Sequence, residues 1–178
     1  MTKAEYERLL RAAKSRKNER LFLIMQTICG TGIRVSELKF ITCEAVANHK
    51  ATVNLKGKVR IIFLPKELCK LLSKYIKEQN IKSGSVFITR NGKPLSRHDI
   101  WRSMKALCNN AGVDKAKVFP HILRHLFART YYEIQKDIVR LADILGHTSI
   151  NTTRIYTIED GEVHRRQMQK LGLVHLTA

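Results

Sequence analysis

Pro120-His121-Ile122-Leu123-Arg124-His125-Leu126-Phe127-Ala128 is the stretch on which the reading of this 178-residue chain turns. Pro120 suits the first position of a helix, where its missing N–H costs nothing, and the pattern predicts a helix running to about residue 133. His121 and Arg124 then stand one turn apart on the same face and can address a single anion. A planar guanidinium binds two non-bridging phosphate oxygens at once, a geometry that an ammonium lacks. Further on come Leu145-Gly146-His147 and then Tyr156. One arginine and two histidines can bind and polarise a phosphodiester. A tyrosine shortly after them can attack it, provided that cations stabilise its phenolate.

Each of these residues has a plainer reading when taken singly. Tyr156 is compatible with a core aromatic, Arg124 with a structural salt bridge, and His147 with a helix-end histidine favoured by the helix dipole. His121 and His125, four residues apart, have the spacing of a metal pair. Arg124 lies between them, however, Ile122 stands where a glutamate would follow the first histidine, and no third ligand is obvious. His125 reads better as a structural histidine. Thr31-Gly32-Ile33-Arg34 supplies a second arginine, whose plainer reading is a helix cap.

Working outward, Thr2 and Glu5 form a capping box, and Tyr6, Leu9, Leu10 and Ala13 follow at helical spacing. A more apolar helix is predicted from about Asn18 to Thr31, ended by Gly30 and Gly32, with a short helix from Val35 to Lys39. Residues 50–56 and 59–64 read as strands of a basic hairpin turning at Gly57-Lys58. Pro65 opens a helix to about Gln79. Val86 to Thr89, followed by Asn91-Gly92, reads as a third short strand and a tight turn. Ser96 and Asp99 form a second box, starting a helix that ends at Gly112. Asp137 caps a helix that stops at Gly146. Ser149 is placed to cap a helix carrying Tyr156, and Glu159 to Leu171 is expected to form a final amphipathic helix. The fold class is therefore mainly α (α+β): helices with one small antiparallel sheet.

Lys and Arg outnumber Asp and Glu by 33 to 15, for a net charge of +18. Residues 50–105 hold fourteen of the basic residues against three acids, so the charge is concentrated as on a basic face. Such a face suits a polyanion, because each neutralised phosphate releases counterions. Cys29, Cys43, Cys69 and Cys108 form no Cys-x-x-Cys pair, which argues against a zinc site or a disulfide framework and fits a reducing cytoplasm. No signal peptide or apolar span of membrane length is evident, so a soluble protein with no membrane partner is expected.

Four boxes, Thr31-Gly-Ile-Arg34-Val-Ser-Glu37-Leu38, His121-Ile-Leu-Arg124-His125, Leu145-Gly-His147 and Thr152-Thr-Arg-Ile-Tyr156, resemble in order and spacing the signatures of tyrosine recombinases. That family includes phage and conjugative-transposon integrases and the Xer-type recombinases. The resemblance covers roughly residues 3–160. It implies that Arg34 and Arg124 clamp the scissile phosphate, that His121 and His147 contact it, that Tyr156 is the nucleophile and that Glu37 buttresses Arg34. It implies too that Lys56, in the hairpin, protonates the leaving 5′ oxygen. The turn after Lys56 is about one residue tighter than the family's commonest form, which leaves Lys58 as the alternative donor.

The implied activity is site-specific DNA recombination or integration through a 3′-phosphotyrosyl intermediate, with no metal and no cofactor. A relaxing enzyme of the type IB topoisomerase kind and a non-catalytic DNA-binding protein of the same fold are the rival readings. Double-stranded DNA is the expected partner, within a homotetramer for the full protein. Lys58, Arg60, Arg97, His98 and Arg102 are candidate DNA contacts. Residues 1–178 are expected to be a catalytic domain with a tail helix at about 159–178 and without the core-binding domain that usually precedes it. This chain alone is accordingly expected to be monomeric and to bind DNA weakly.

Overall fold

The computed structural model describes residues 1–55, 57–89, 91–156 and 168–171. Helix α1 (Lys3–Ser15) starts at the reciprocal Thr2/Glu5 box and buries Leu9, Ala12 and Ala13. Asn18 caps α2 (Glu19–Thr31), its side chain accepting from the Leu21 N–H at 3.1 Å. Eight residues of α2 are buried, Leu21 to Met25 continuously, because other helices cover it on several sides. Its neighbours are α1 and the later helices α4 (Lys66–Glu78), α5 (Arg97–Ala111) and α6 (Pro120–Gln135). The two polar residues this burial traps, Thr27 and Thr31, donate to the carbonyls of Leu23 and Thr27, so neither hydroxyl is left unpaired.

Gly32 ends α2 in the left-handed conformation at φ 68°, and a 3-10 turn (Val35–Phe40) follows. Helix α3 (Cys43–Ala47), capped by Thr42, is too short to show a period in the sequence and was not expected from it. Strands β1 (Lys50–Leu55) and β2 (Lys58–Phe63) pair antiparallel, with Ala51 opposite Ile62 and Val53 opposite Arg60. Beyond them lie α4 (Lys66–Glu78), α5 (Arg97–Ala111), a 3-10 turn (Lys115–Lys117), α6 (Pro120–Gln135), α7 (Ile138–Leu145) and α8 (Asn151–Arg154). The main core centres on α2. A smaller cluster of Ala128, Leu141, Leu145 and Tyr156 sits between α6 and α7, with Phe127, Tyr131 and Tyr132 packed against it.

Three local expectations need correction. The third strand is reduced to two isolated bridges, Thr42 with Ser85 and Ile88 with Pro94, and Pro94 has no N–H with which to extend a ladder. Ser96 does cap α5, accepting from the Asp99 N–H at 3.0 Å, but its hydroxyl also donates to the Asp99 carboxylate, so Asp99 does not return the bond to the cap backbone. Helix α8 begins after Ile150, although Ser149 still accepts from the Asn151 N–H at 3.3 Å, and it ends before Tyr156, which lies in the following turn. The expected helix from Glu159 to Leu171 falls mostly outside the described residues; 168–170 are helical. Among the described residues no helix is long and apolar enough to cross a membrane.

Candidate active site

Two helix C-termini and one helix N-terminus meet at the site. Pro120 opens α6 and puts His121 and Arg124 on its first turns, while α2 and α7 end at Gly32 and Gly146, both left-handed. The last carbonyls of a helix have no partner of their own and carry its negative partial charge, so cations settle there. Arg124 is 1% exposed and its guanidinium donates to the Gly32 carbonyl at 2.5 Å and to the Leu145 carbonyl at 2.7 Å. Its Nε, equally buried, has no partner among the described residues.

Arg34 enters from the other side. Its Nη1 donates to Glu37 Oε1 at 3.1 Å, its backbone N–H to Oε2 at 2.7 Å, and its Nη2 to the Gly146 carbonyl at 3.4 Å. The Arg34 side chain remains 41% exposed, whereas Glu37 is 1% exposed. Burial alone would raise the Glu37 pKa. Hydrogen bonds from Arg60 and from the Arg34 backbone outweigh it and hold the carboxyl below its ordinary value. A cavity of about 370 Å³ opens between Arg34, His121, Arg124 and Arg97, and a second of about 820 Å³ lies on the far side of Arg34, reaching Arg60 and His147.

The histidines are held neutral. Burial first, then the charges of Arg124, Arg34 and Arg60, push the His147 pKa down to about 4. His147 Nε2 lies 3.0 Å from Arg124 Nη2, which can only donate, so Nε2 accepts and the proton resides on Nδ1, which donates to Thr153 Oγ1 at 2.8 Å. His121, standing at the more open mouth of the cavity, is shifted the same way by burial and by His125, Arg124 and Arg97. Tyr156 is 8% exposed, and its ring lies between those of His125, 5.0 Å away edge-on, and His147, 6.5 Å away and nearly parallel. Burial raises its pKa, while Arg124 and then Arg34 oppose the rise. The arginines thus act on the phenol in the direction that attack by a phenolate requires.

The structure therefore brings Arg34, Glu37, His121, Arg124, His147 and Tyr156 together. Lys56 lies outside the described residues, as does the Lys58 side chain. Arg60, read from the sequence as a DNA contact, turns its guanidinium inward to Glu37 and the Ile144 carbonyl. Arg97 lines the cavity, and Arg102 pairs with His98 at 3.2 Å on the exposed face of α5. Sequence reasoning missed Thr153, which is fully buried and orients His147. It also missed the carbonyls of Gly32, Ile144 and Leu145, which no side-chain motif can announce. For Arg60 a signal did exist: it shares strand parity with Ile62 and Leu64, on the apolar side of β2. Among the described residues no group of three or more His, Cys, Asp or Glu could hold a metal ion.

A profile of the phage integrase family matches residues 1–162. The chain belongs to the phage integrase family. Within that family it is 36% identical over 172 residues to tyrosine recombinase XerH of Campylobacter jejuni, covering 91% of this chain and 49% of the relative. It is 33% identical over 165 residues to tyrosine recombinase XerA of Pyrococcus furiosus, covering 88% of this chain and 56% of the relative. The integrase-family fold agrees: a crystal structure of XerA recombinase superposes with a TM-score of 0.78 at 29% identity, covering 99% of this chain and 64% of that one. The pre-cleavage complex of XerH with its difH substrate gives 0.77 at 26% identity, over 93% of this chain and 51% of that one. The chain spans about half the length of the relatives it matches.

Proposed function

We propose that this chain is the catalytic part of a site-specific DNA recombinase or integrase that cuts and rejoins strands through a covalent 3′-phosphotyrosyl link. One observation carries the reading: Arg34, Arg124, His121 and His147 converge beside a tyrosine whose ring is docked between two histidines. The scissile phosphate sits between the two guanidiniums, with the open Arg124 Nε as one of its donors. Tyr156 Oη attacks phosphorus in line, passing its proton to neutral His121. The P–O5′ bond breaks, its electron pair goes to the 5′ oxygen, and Lys56 of the hairpin supplies the proton. Preorganised cations stabilise the extra charge of the five-coordinate transition state without reorganising, where such electrostatics contribute most. The link retains the energy of the phosphodiester, so a 5′ hydroxyl from another strand reverses the step.

Double-stranded DNA is the partner, and exchange of two strand pairs calls for a tetramer of the complete protein on DNA. The net charge of +18 supports the first point. The test is covalent capture. Nicked duplexes with a randomised core are incubated with the chain, and adducts that survive denaturation are recovered and sequenced. A wild-type adduct that Tyr156→Phe fails to form is the expected result. No adduct from any duplex, or one that persists in Tyr156→Phe, sinks the reading.

A further inference from the structure

We propose, resting on the strand-cleavage reading above, that Arg60 is a positioning residue that locks the basic hairpin onto the phosphate-binding centre. The hairpin carries the two lysines, Lys56 and Lys58, from which the proton donor for the leaving oxygen is drawn, so holding the hairpin would govern that proton transfer.

Alternation along β2 separates an outward face from an inward one. Val59, Ile61 and Phe63 point away from the domain and are 64%, 53% and 76% exposed, whereas Ile62 and Leu64 point inward and are each 4% exposed. Arg60 shares the inward parity, opposite buried Val53. Among the β2 side chains described it is the inward one nearest the turn. A long cationic side chain at such a position would ordinarily bend out to water. This one is 15% exposed, with Nη2 on Glu37 Oε2 and Nη1 on the Ile144 carbonyl. Its stem packs so closely on Gly146 that a Cβ there would come within 2.7 Å of Arg60 Cδ.

Arg60 therefore ties three pieces together: the hairpin, the Glu37 carboxylate that also holds Arg34, and the C-terminus of α7 next to His147. Among the described residues these are the hairpin's side-chain hydrogen bonds to the rest of the domain. A two-stranded hairpin is marginal by itself, and the outward face of β2 packs on nothing described. Arg124 is held separately, by Gly32 and Leu145. Ala51, Val53, Ile62 and Leu64 keep the base of the hairpin in the core, and Glu37 keeps its two bonds to Arg34. Loss of Arg60 should therefore loosen the turn end of the hairpin and leave both guanidinium clamps in place.

Leaving-group chemistry separates this role from general support. With sulfur in place of the bridging 5′ oxygen, the Tyr156 oxygen–phosphorus bond forms as before, the P–S bond breaks, and the electron pair leaves on sulfur. A thiol pKa of about 8.5 lets that thiolate depart without a proton. The experiment is single-turnover cleavage, at saturating protein, of the captured duplex carrying 5′ oxygen or 5′ sulfur, with Arg60→Met and Arg60→Lys. Arg60→Met is expected to slow the oxygen substrate by roughly 100-fold, as loss of general acid catalysis does, and the sulfur substrate by less than about threefold. Arg60→Lys should fall between Arg60→Met and wild type on oxygen. Equal losses on both substrates, or no loss on either, overturn the assignment.

Amide hydrogen exchange of the free protein gives a second readout that needs no DNA. Arg60→Met should speed exchange by about tenfold or more in the turn-proximal halves of β1 and β2 and leave the α2 amides at wild-type rates. Unchanged hairpin exchange also overturns it. Failure of the wild type to form an adduct on either duplex would instead count against strand cleavage itself, and the exchange result would stand apart from it.

Discussion

His147 is held at both of its ring nitrogens. Held between Arg124 and Thr153, it is fixed in one tautomer and stays neutral down to a pH of about 4. In the unfolded chain a histidine titrates near 6.5, so between about 6.5 and 4 the unfolded state binds a proton that the folded state does not. Stability therefore falls as the pH drops through that window and levels off below it. His121 and His125, shifted in the same direction, add to the slope. Thermal unfolding from pH 7 to 4.5 should show a falling Tm in the wild type and a shallower fall in His147→Gln. Parallel curves would mean that His147 is not held neutral. At this scale the two arginines, two histidines and the tyrosine were legible through their order and spacing, since each alone fits a plainer role. The sequence was silent where the work falls to Thr153, whose hydroxyl looks like any other near a helix start.

Among the elements, the ends carry more of the function than the middles. Gly32 closes α2 at φ 68°, and a Cβ there would lie 2.5 Å from the Phe127 ring. The left-handed conformation alone costs an alanine about 1–2 kcal/mol, and forcing the ring aside adds about 1–3 kcal/mol. Gly112 closes α5 at φ 58° with nothing within 4 Å of the added atom, so only the first cost applies there. Chemical denaturation should find Gly32→Ala the more destabilising by about 1–3 kcal/mol. Equal losses would show that Phe127 yields freely. Helix starts and stops were largely readable, since Thr2, Asn18, Ser96, Pro120, Asp137 and the closing glycines each state a local preference. The segment around Val86 was not. Its β-rich composition is met by single bridges at either end, a tertiary outcome that composition does not contain.

For the whole molecule, charge is the property that reaches furthest. The surplus of +18 predicts DNA binding dominated by counterion release. Affinity should then fall on a log–log plot against salt with a slope steeper than about −3, and Arg97→Ala should flatten it by about 1 if that cavity-lining side chain meets a phosphate. Salt-insensitive binding would contradict this. The same overall charge says nothing of where the cations are fixed, and the structure locates that in its backbone. Arg124, Arg34 and Arg60 are all moored to main-chain oxygens at residues 32, 144, 145 and 146. Every amino acid carries such an oxygen, so the moorings depend on where α7 ends, while the Leu145 side chain is fixed for another reason, its packing in the smaller core. Grafting this site onto another scaffold would accordingly require two helix ends at a set distance, with the arginines, histidines and tyrosine added afterwards.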